Sequence, residues 1–337
     1  MTSNKHQTQN TPSLTFHPHP LIRNCHLQTV ISSVRRSKGA ALRQAAREMI
    51  LDAGEGVRLQ GYYSPQPERR SKGLVLLLHG WLGNVNANYI VATGEYLYQR
   101  GYSIFRLNLR DHGNTHHLNP DIFRNDRLDE VFVASQRIAR LESDSPLHLV
   151  GASLGGNFAL RLAWRHGQTP LLNLAHTIAF CPVLDPYRTT LNIDNGPKMY
   201  LAYFRRKWRR GFRKKQAAFP DQHDFSAEIA APTCMAMTET FVRRNSPYPD
   251  ARAYFDSYTI TPEMMVDLNS PITIITAADD PVVPVGDFYA FRDLTPNLRV
   301  HIQSYGGHVG FVDILPFRRW SCEATLSILE SKAPFAR

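Results

Sequence analysis

Six short apolar runs recur along the chain, and between them apolar residues return every three or four positions. The runs are 73–79, 102–109, 147–150, 174–180, 272–276 and 298–304. Each is bounded by turn-forming residues, as expected of buried strands. The intervening stretches 89–99, 126–141, 157–166, 285–294 and 317–332 have helical spacing. In 126–141 the apolar positions are Leu128, Val131, Val133, Ile138 and Leu141; in 157–166, Phe158, Leu160, Leu162 and Ala163 contrast with Arg161 and Arg165. Residues 48–64 alternate around Gly54-Glu55-Gly56 and read as a β-hairpin. Continuous apolar strands alternating with helices predict an α/β protein with a mostly parallel sheet covered on both faces.

The rhythm breaks at Asp185 and resumes after Thr261. The insertion falls between two sheet strands and predicts a helical cap, 185–261, over a core made of 15–184 and 262–337. Residues 1–14 are polar, rich in Gln, Asn and Thr, and read as a disordered tail.

Composition changes this picture in three ways. The chain has 337 residues, 43% of them hydrophobic, which is enough for a sizeable core. No stretch of eighteen apolar residues and no apolar N-terminal segment is present, so the expectation is a cytoplasmic protein. Its four cysteines (Cys25, Cys181, Cys234, Cys322) are scattered without metal-ligand spacing and read as reduced thiols. The net charge of +10 is local: Lys198 to Lys215 carries nine Lys/Arg and no acid, interleaved with aromatics. Three readings of that stretch follow, in order of preference. It is a solvated basic face on a cap helix with its aromatics packed on the core, a peripheral contact with anionic membrane, or a nucleic-acid contact, and neither binding reading carries a specific motif.

Gly151-Ala152-Ser153-Leu154-Gly155 joins the strand at 147–150 to the helix that follows. A serine at a strand–turn–helix junction matches a nucleophile elbow, whose tight turn demands small residues two before and two after. The five-residue pattern alone occurs by chance in about one chain in ten of this length, and the alternative is a glycine loop with Ser153 capping a helix. The partners decide. His79-Gly80-Trp81-Leu82-Gly83 follows the first long strand, where an oxyanion loop belongs. The backbone N–H groups of Trp81 and Leu154 are the candidate oxyanion donors, each typically worth about 3 kcal/mol of barrier. Ile272 to Thr276 runs into Asp279-Asp280-Pro281, where a carboxylate can fix and stabilise a histidine; the proline favours Asp280 over Asp279. His308, among Gly306, Gly307 and Gly310, lies past the last strand. The order Ser153, Asp280, His308 is the one this type of triad requires.

These motifs, with Phe16-His17-Pro18-His19-Pro20, Asn24-Cys25-His26-Leu27-Gln28-Thr29 and Asn108-Leu109-Arg110-Asp111-His112-Gly113, resemble the YheT-like branch of the α/β-hydrolases, the AB hydrolase 4 family. The resemblance runs from residue 16 to residue 311. It implies an α/β-hydrolase fold, a Ser153/Asp280/His308 triad and hydrolysis of carboxylic esters, with no cofactor. The expected partner is a small-molecule ester of short to medium acyl chain, lipid-derived esters included. Lipase or phospholipase action at a lipid surface is the runner-up, and a non-catalytic binding protein the alternative class. Asp111, His112, His116 and His117 could suggest a metal, but Gly113-Asn114 argues against a helix that would align them, and loop-shaping roles are favoured. His26 and Gln28 are expected to pack or hydrogen-bond.

Overall fold

The computed structural model describes residues 14–67 and 71–331. In chain order its elements begin with α1 (Cys25–Val34), α2 (Ala40–Gln44), β1 (Arg47–Asp52), β2 (Arg58–Ser64), β3 (Leu74–Leu78), α3 (Asn88–Tyr98) and β4 (Ser103–Leu107). Next come α4 (Leu128–Ala139), β5 (Leu147–Ala152), α5 (Leu154–Gln168) and β6 (Leu174–Phe180). Five helices precede the next strand: α6 (Pro186–Asn195), α7 (Lys198–Ala218), α8 (Ser226–Ala230), α9 (Cys234–Asn245) and α10 (Ala251–Asp256). The chain continues through β7 (Ile272–Ala277), β8 (Leu298–Gln303), the two-residue strands β9 (Val312–Asp313) and β10 (Arg318–Arg319), and α11 (Trp320–Glu330).

The main sheet runs β1-β2-β4-β3-β5-β6-β7-β8. The hairpin β1–β2 and the β2–β4 pair are antiparallel, and every pair from β4 to β8 is parallel. The central strands are apolar throughout because helices cover both faces: all five residues of β3, and all six of β5 and of β7, are buried. Edge strand β1 instead buries only Leu51. Parallel register brings Leu78, Gly151 and Ala179 side by side, and Ala152, Phe180 and Ile275 likewise. The residues that follow these strands therefore emerge at one rim, the carboxyl end where ligands of such sheets bind.

Several sequence expectations need correction. Leu14, assigned to the tail, packs against the core, and its carbonyl accepts from Gln303 Nε2 at 2.8 Å; residues 1–13 lie outside those described. Val285–Phe291 is a 3-10 helix, not an α-helix; Pro284 and Gly286 flank its start, and Phe288 and Phe291, three apart, turn the same face to the core. The closing helix starts at Trp320, because Arg318 and Arg319 pair with Asp313 and Val312 as a strand; Lys332 lies outside the described residues. The helix after Ser153 begins at Leu154, three residues earlier than its apolar spacing suggests.

Candidate active site

Ser153 follows β5 and sits at φ 55°, ψ −122°, a conformation that costs a non-glycine residue of order 1–3 kcal/mol. Its neighbours hold it there. Its N–H donates to the Phe180 carbonyl at 2.9 Å, and its carbonyl accepts from Asn157 N at 3.1 Å as α5 begins. A Cβ on Gly151 would run into the Gly155 carbonyl, and one on Gly155 into the Leu78 carbonyl. Both positions must be glycine, as the elbow pattern requires. The Ser153 side chain makes no capping bond to α5. Its Oγ lies instead 2.9 Å from His308 Nε2, which removes the helix-cap reading.

His308 Nδ1 lies 2.9 Å from Asp280 Oδ2. A carboxylate can only accept there, so the proton sits on Nδ1 and Nε2 is left to accept from the serine hydroxyl. The Asp280 side chain is fully buried, while the His308 side chain keeps 11% exposure. Asp280 Oδ1 accepts from the N–H groups of Val282 (2.8 Å) and Val283 (3.0 Å), which fixes the carboxylate plane. Asp279 does something different. Its Oδ1 accepts from Gly307 N at 2.9 Å and ties down the histidine loop. The two adjacent acids thus divide between ring and backbone.

The histidine loop is strained and braced. Gly306 (φ 153°), Gly307 (φ 54°), Val309 (φ 55°) and Phe311 (φ 45°) all have positive φ. Helix α1 packs so closely that a Cβ on Gly307 would meet the Cys25 carbonyl and Thr29 Oγ1. Thr29 Oγ1 accepts from His308 N at 2.9 Å and donates to Cys25 O at 2.8 Å. Fully buried Gln28 accepts from Val312 N at 2.9 Å and donates to Val312 O (2.9 Å) and Ile22 O (2.8 Å). Ser32 Oγ donates to Val309 O at 2.9 Å. Sequence reasoning gave Gln28 a generic hydrogen-bonding role and missed Thr29 and Ser32. The signal was the His26-to-Thr29 block itself, in which Gln28 and Thr29 reach Val312 and His308, about 280 residues away.

The loop after β3 reaches the same rim. A Cβ built on Gly80 would sit 3.1 Å from Ser153 Cβ. Gly80 N donates to Tyr89 Oη at 2.8 Å, and Leu82 N to His112 Nε2 at 3.2 Å. His112 can accept there because burial lowers its pKa to about 4 and its Nδ1–H donates to Arg110 O at 2.7 Å. His79 is neutral for the same reason, its Nε2 accepting from Leu109 N at 3.2 Å. The Trp81 N–H has no acceptor among the described residues, and Leu154 opens α5, so its N–H has none within the helix. The Trp81 indole packs on Phe204 and Trp208 of α7, with ring centroids 5.5 and 4.8 Å away.

Cys181 Sγ, a carboxylate oxygen of Asp280 and a ring nitrogen of His308 lie within 4.8 Å of one another. Burial pushes the Cys181 thiol well above its ordinary range. Its Sγ is engaged with the loop backbone, accepting from Val309 N at 3.4 Å and donating to Gly307 O at 3.8 Å, while Asp280 and His308 bond each other. Asp111 and His116 are likewise occupied with structure. Lys215 Nζ donates to Asp111 Oδ1 (2.9 Å) and to the carbonyls of His116 (3.3 Å), Asn119 (2.6 Å) and Asp121 (2.9 Å). Lys215 is completely buried, so this one cation does not belong to the solvated basic face expected of 198–215, whose aromatics were expected to pack inward. Tyr200 and Phe212 of the same helix are also buried.

Comparison with known proteins points to the same fold. A Synechocystis protein provisionally named an esterase, slr0264, is 24% identical over 315 residues, covering 84% of each chain. YheT of Escherichia coli K12, also provisionally named an esterase, is 23% identical over 303 residues, covering 89% of this chain and 88% of its own. The Pyrococcus furiosus esterase PF2001 superposes with a TM-score of 0.56 at 15% identity, covering 84% of this chain and 89% of its own. Est1E of Butyrivibrio proteoclasticus, solved with ferulic acid bound, gives 0.54 at 16% identity, covering 83% and 96%. The resemblance to the YheT-like branch thus extends over most of the sequence, and residues 73–313 match the alpha/beta hydrolase fold family. The chain belongs to that family.

Proposed function

We propose that this protein is a serine hydrolase that cleaves carboxylic esters through an acyl-enzyme. The observation that carries the reading is the single imidazole of His308, 2.9 Å from Ser153 Oγ on one side and 2.9 Å from Asp280 Oδ2 on the other. Esterase names among the relatives point the same way.

In this reading Ser153 Oγ attacks the ester carbonyl carbon as its proton passes to His308 Nε2. Asp280 stabilises the imidazolium and holds its tautomer. The N–H groups of Trp81 and Leu154 receive the developing oxyanion. The tetrahedral intermediate collapses, His308 returns the proton to the departing alkoxide, and an alcohol leaves. Water then attacks the acyl-serine with His308 as base, releasing the acid and restoring the serine. Residues 185–261 act as the cap over this centre, with α7 supplying the aromatic wall around Trp81. The substrates are esters of short to medium acyl chain.

The test is hydrolysis of p-nitrophenyl esters of graded chain length by wild type and Ser153→Ala. The variant is expected to keep its fold, by circular dichroism and melting temperature, and to lose turnover at every chain length. Wild-type turnover in a folded Ser153→Ala protein would refute the assignment.

A further inference from the structure

A cavity of about 400 Å³ lies between α7 and the loops that follow β3 and β4. One wall is formed by the oxyanion-side loop from Trp81 to Asn86, another by residues 111–114 and 116, and the roof by Lys207, Arg210 and Lys214 of α7. The three cations recur at spacings of three and four along one helix, so they share a face. None has an ion-pair partner among the described residues. Asp111 is the one acid in the lining, and Lys215 has taken it. Glu48, beyond the far wall, is held by Gln60 Nε2 at 2.6 Å and Tyr62 Oη at 3.4 Å.

The ammonium groups are positioned but not neutralised. Lys207 Nζ donates to the Leu82 carbonyl at 3.2 Å, and Lys214 Nζ to Gly113 O at 3.2 Å and Asn114 Oδ1 at 3.1 Å. Each ammonium has donors to spare. Burial, and then the nearby Arg210 guanidinium, lower the Lys214 pKa, so like charges face one another without an acid between them. Burial holds His116 down to about 3, so that ring adds no charge. Such an arrangement is complementary to a ligand carrying more than one negative charge.

We propose that this cavity is an anion subsite in which Lys207, Arg210 and Lys214 take the phosphate of a phosphorylated ester whose scissile bond lies at Ser153. Three cations lining one cavity match a phosphate dianion better than a single carboxylate. The connection to the serine runs through the loop itself: Leu82, which holds Lys207, is two residues from Gly80, which abuts Ser153. The assignment of the ester half rests on the esterase reading above.

The matched probes are 1-butyrylglycerol 3-phosphate and uncharged 1-butyrylglycerol, the same ester with and without the phosphate. The wild type is expected to favour the phosphorylated ester in kcat/KM, with the preference shrinking as salt is raised. The double variant Arg210→Gln/Lys214→Gln is expected to lower the preference ratio by at least about tenfold. Cleavage of the uncharged esters with no wild-type preference for the phosphorylated one, either in solution or for phosphatidic acid over diacylglycerol in vesicles, overturns the subsite and leaves the esterase reading standing. Binding is measured separately, by calorimetry with glycerol 3-phosphate on Ser153→Ala. Binding that the two glutamines abolish supports the subsite even where neither butyryl ester is cleaved, and the p-nitrophenyl esters then decide the esterase reading separately. Absent binding, or binding the glutamines leave unchanged, overturns the subsite. A preference seen with the soluble ester assigns the phosphate to a soluble substrate. One seen only with phosphatidic acid in vesicles assigns it to a lipid headgroup, and either supports the subsite.

Discussion

Thr29→Val isolates the contribution of α1 to the active centre, because valine keeps the shape of threonine and removes only the hydroxyl. In the native protein that hydroxyl accepts the His308 N–H at 2.9 Å. Without it the N–H loses its acceptor, and a buried unsatisfied group costs about 1–3 kcal/mol. If that cost falls wholly on the catalytic arrangement, it corresponds to roughly 5- to 150-fold in the population of correctly placed imidazole. Two observations push the effect toward the lower end. Thr29 and His308 are only half-buried, so water can replace part of the bond. The loop also keeps its ties to Asp279, Gln28 and Ser32. The expected loss in kcat is therefore about tenfold, with KM changed less than about threefold, since the substrate-facing loops are untouched. Thr29→Ser retains the acceptor and is expected to recover most of the loss. Stopped-flow acylation with a p-nitrophenyl ester measures the affected step, and thermal unfolding checks that the fold is intact. Wild-type kcat in Thr29→Val, or an equal loss in Thr29→Ser, would refute the claim that this hydroxyl positions His308.

Other consequences follow from the buried charges. Lys215→Met strands the Asp111 carboxylate, whose pKa burial already pushes up against the opposing pull of Lys215, and is expected to destabilise the protein by about 3–5 kcal/mol in urea unfolding. Adding Asp111→Asn is expected to return part of that loss; equal stability of the single and double variants would contradict the pairing. Burial also raises Asp287 to about 6, and the Arg188 guanidinium only partly offsets it. The sign follows from linkage: between pH 4 and 6 the unfolded chain gives up this proton while the folded one keeps it, so this group lowers stability as pH rises through that window. Asp287→Asn is expected to flatten the fall, measured as melting temperature against pH, and an unchanged profile would show that the group titrates elsewhere.

Much of the scaffold was legible because burial on both faces writes itself as unbroken apolar runs. β3, β5, β6 and β7 fall within a residue or two of where those runs predict them. The spacing of small residues around Ser153 was equally readable, since a backbone clash admits only glycine at 151 and 155. What could not be read were long-range decisions. The proline after Asp280 pointed to that residue for the ring, but nothing local says where its neighbour goes, and only the path of the loop sends Asp279 to the Gly307 backbone. Nine basic residues in one helix look alike in composition. Lys215 turns inward because Asp111, 104 positions earlier, and three carbonyls wait for it. The brace from Gln28 and Thr29 is hidden for the same reason, its partners being at the other end of the chain.

The central claim is that Ser153 is made nucleophilic by His308 under the hold of Asp280. Labelling of the folded protein with a fluorophosphonate, followed by mapping of the modified peptide, tests this most directly. Rapid modification is expected at Ser153 alone, abolished by Ser153→Ala and slowed at least about a hundredfold by His308→Ala. An unlabelled Ser153 in the folded wild type, or labelling that proceeds at the same rate without the imidazole, would contradict it.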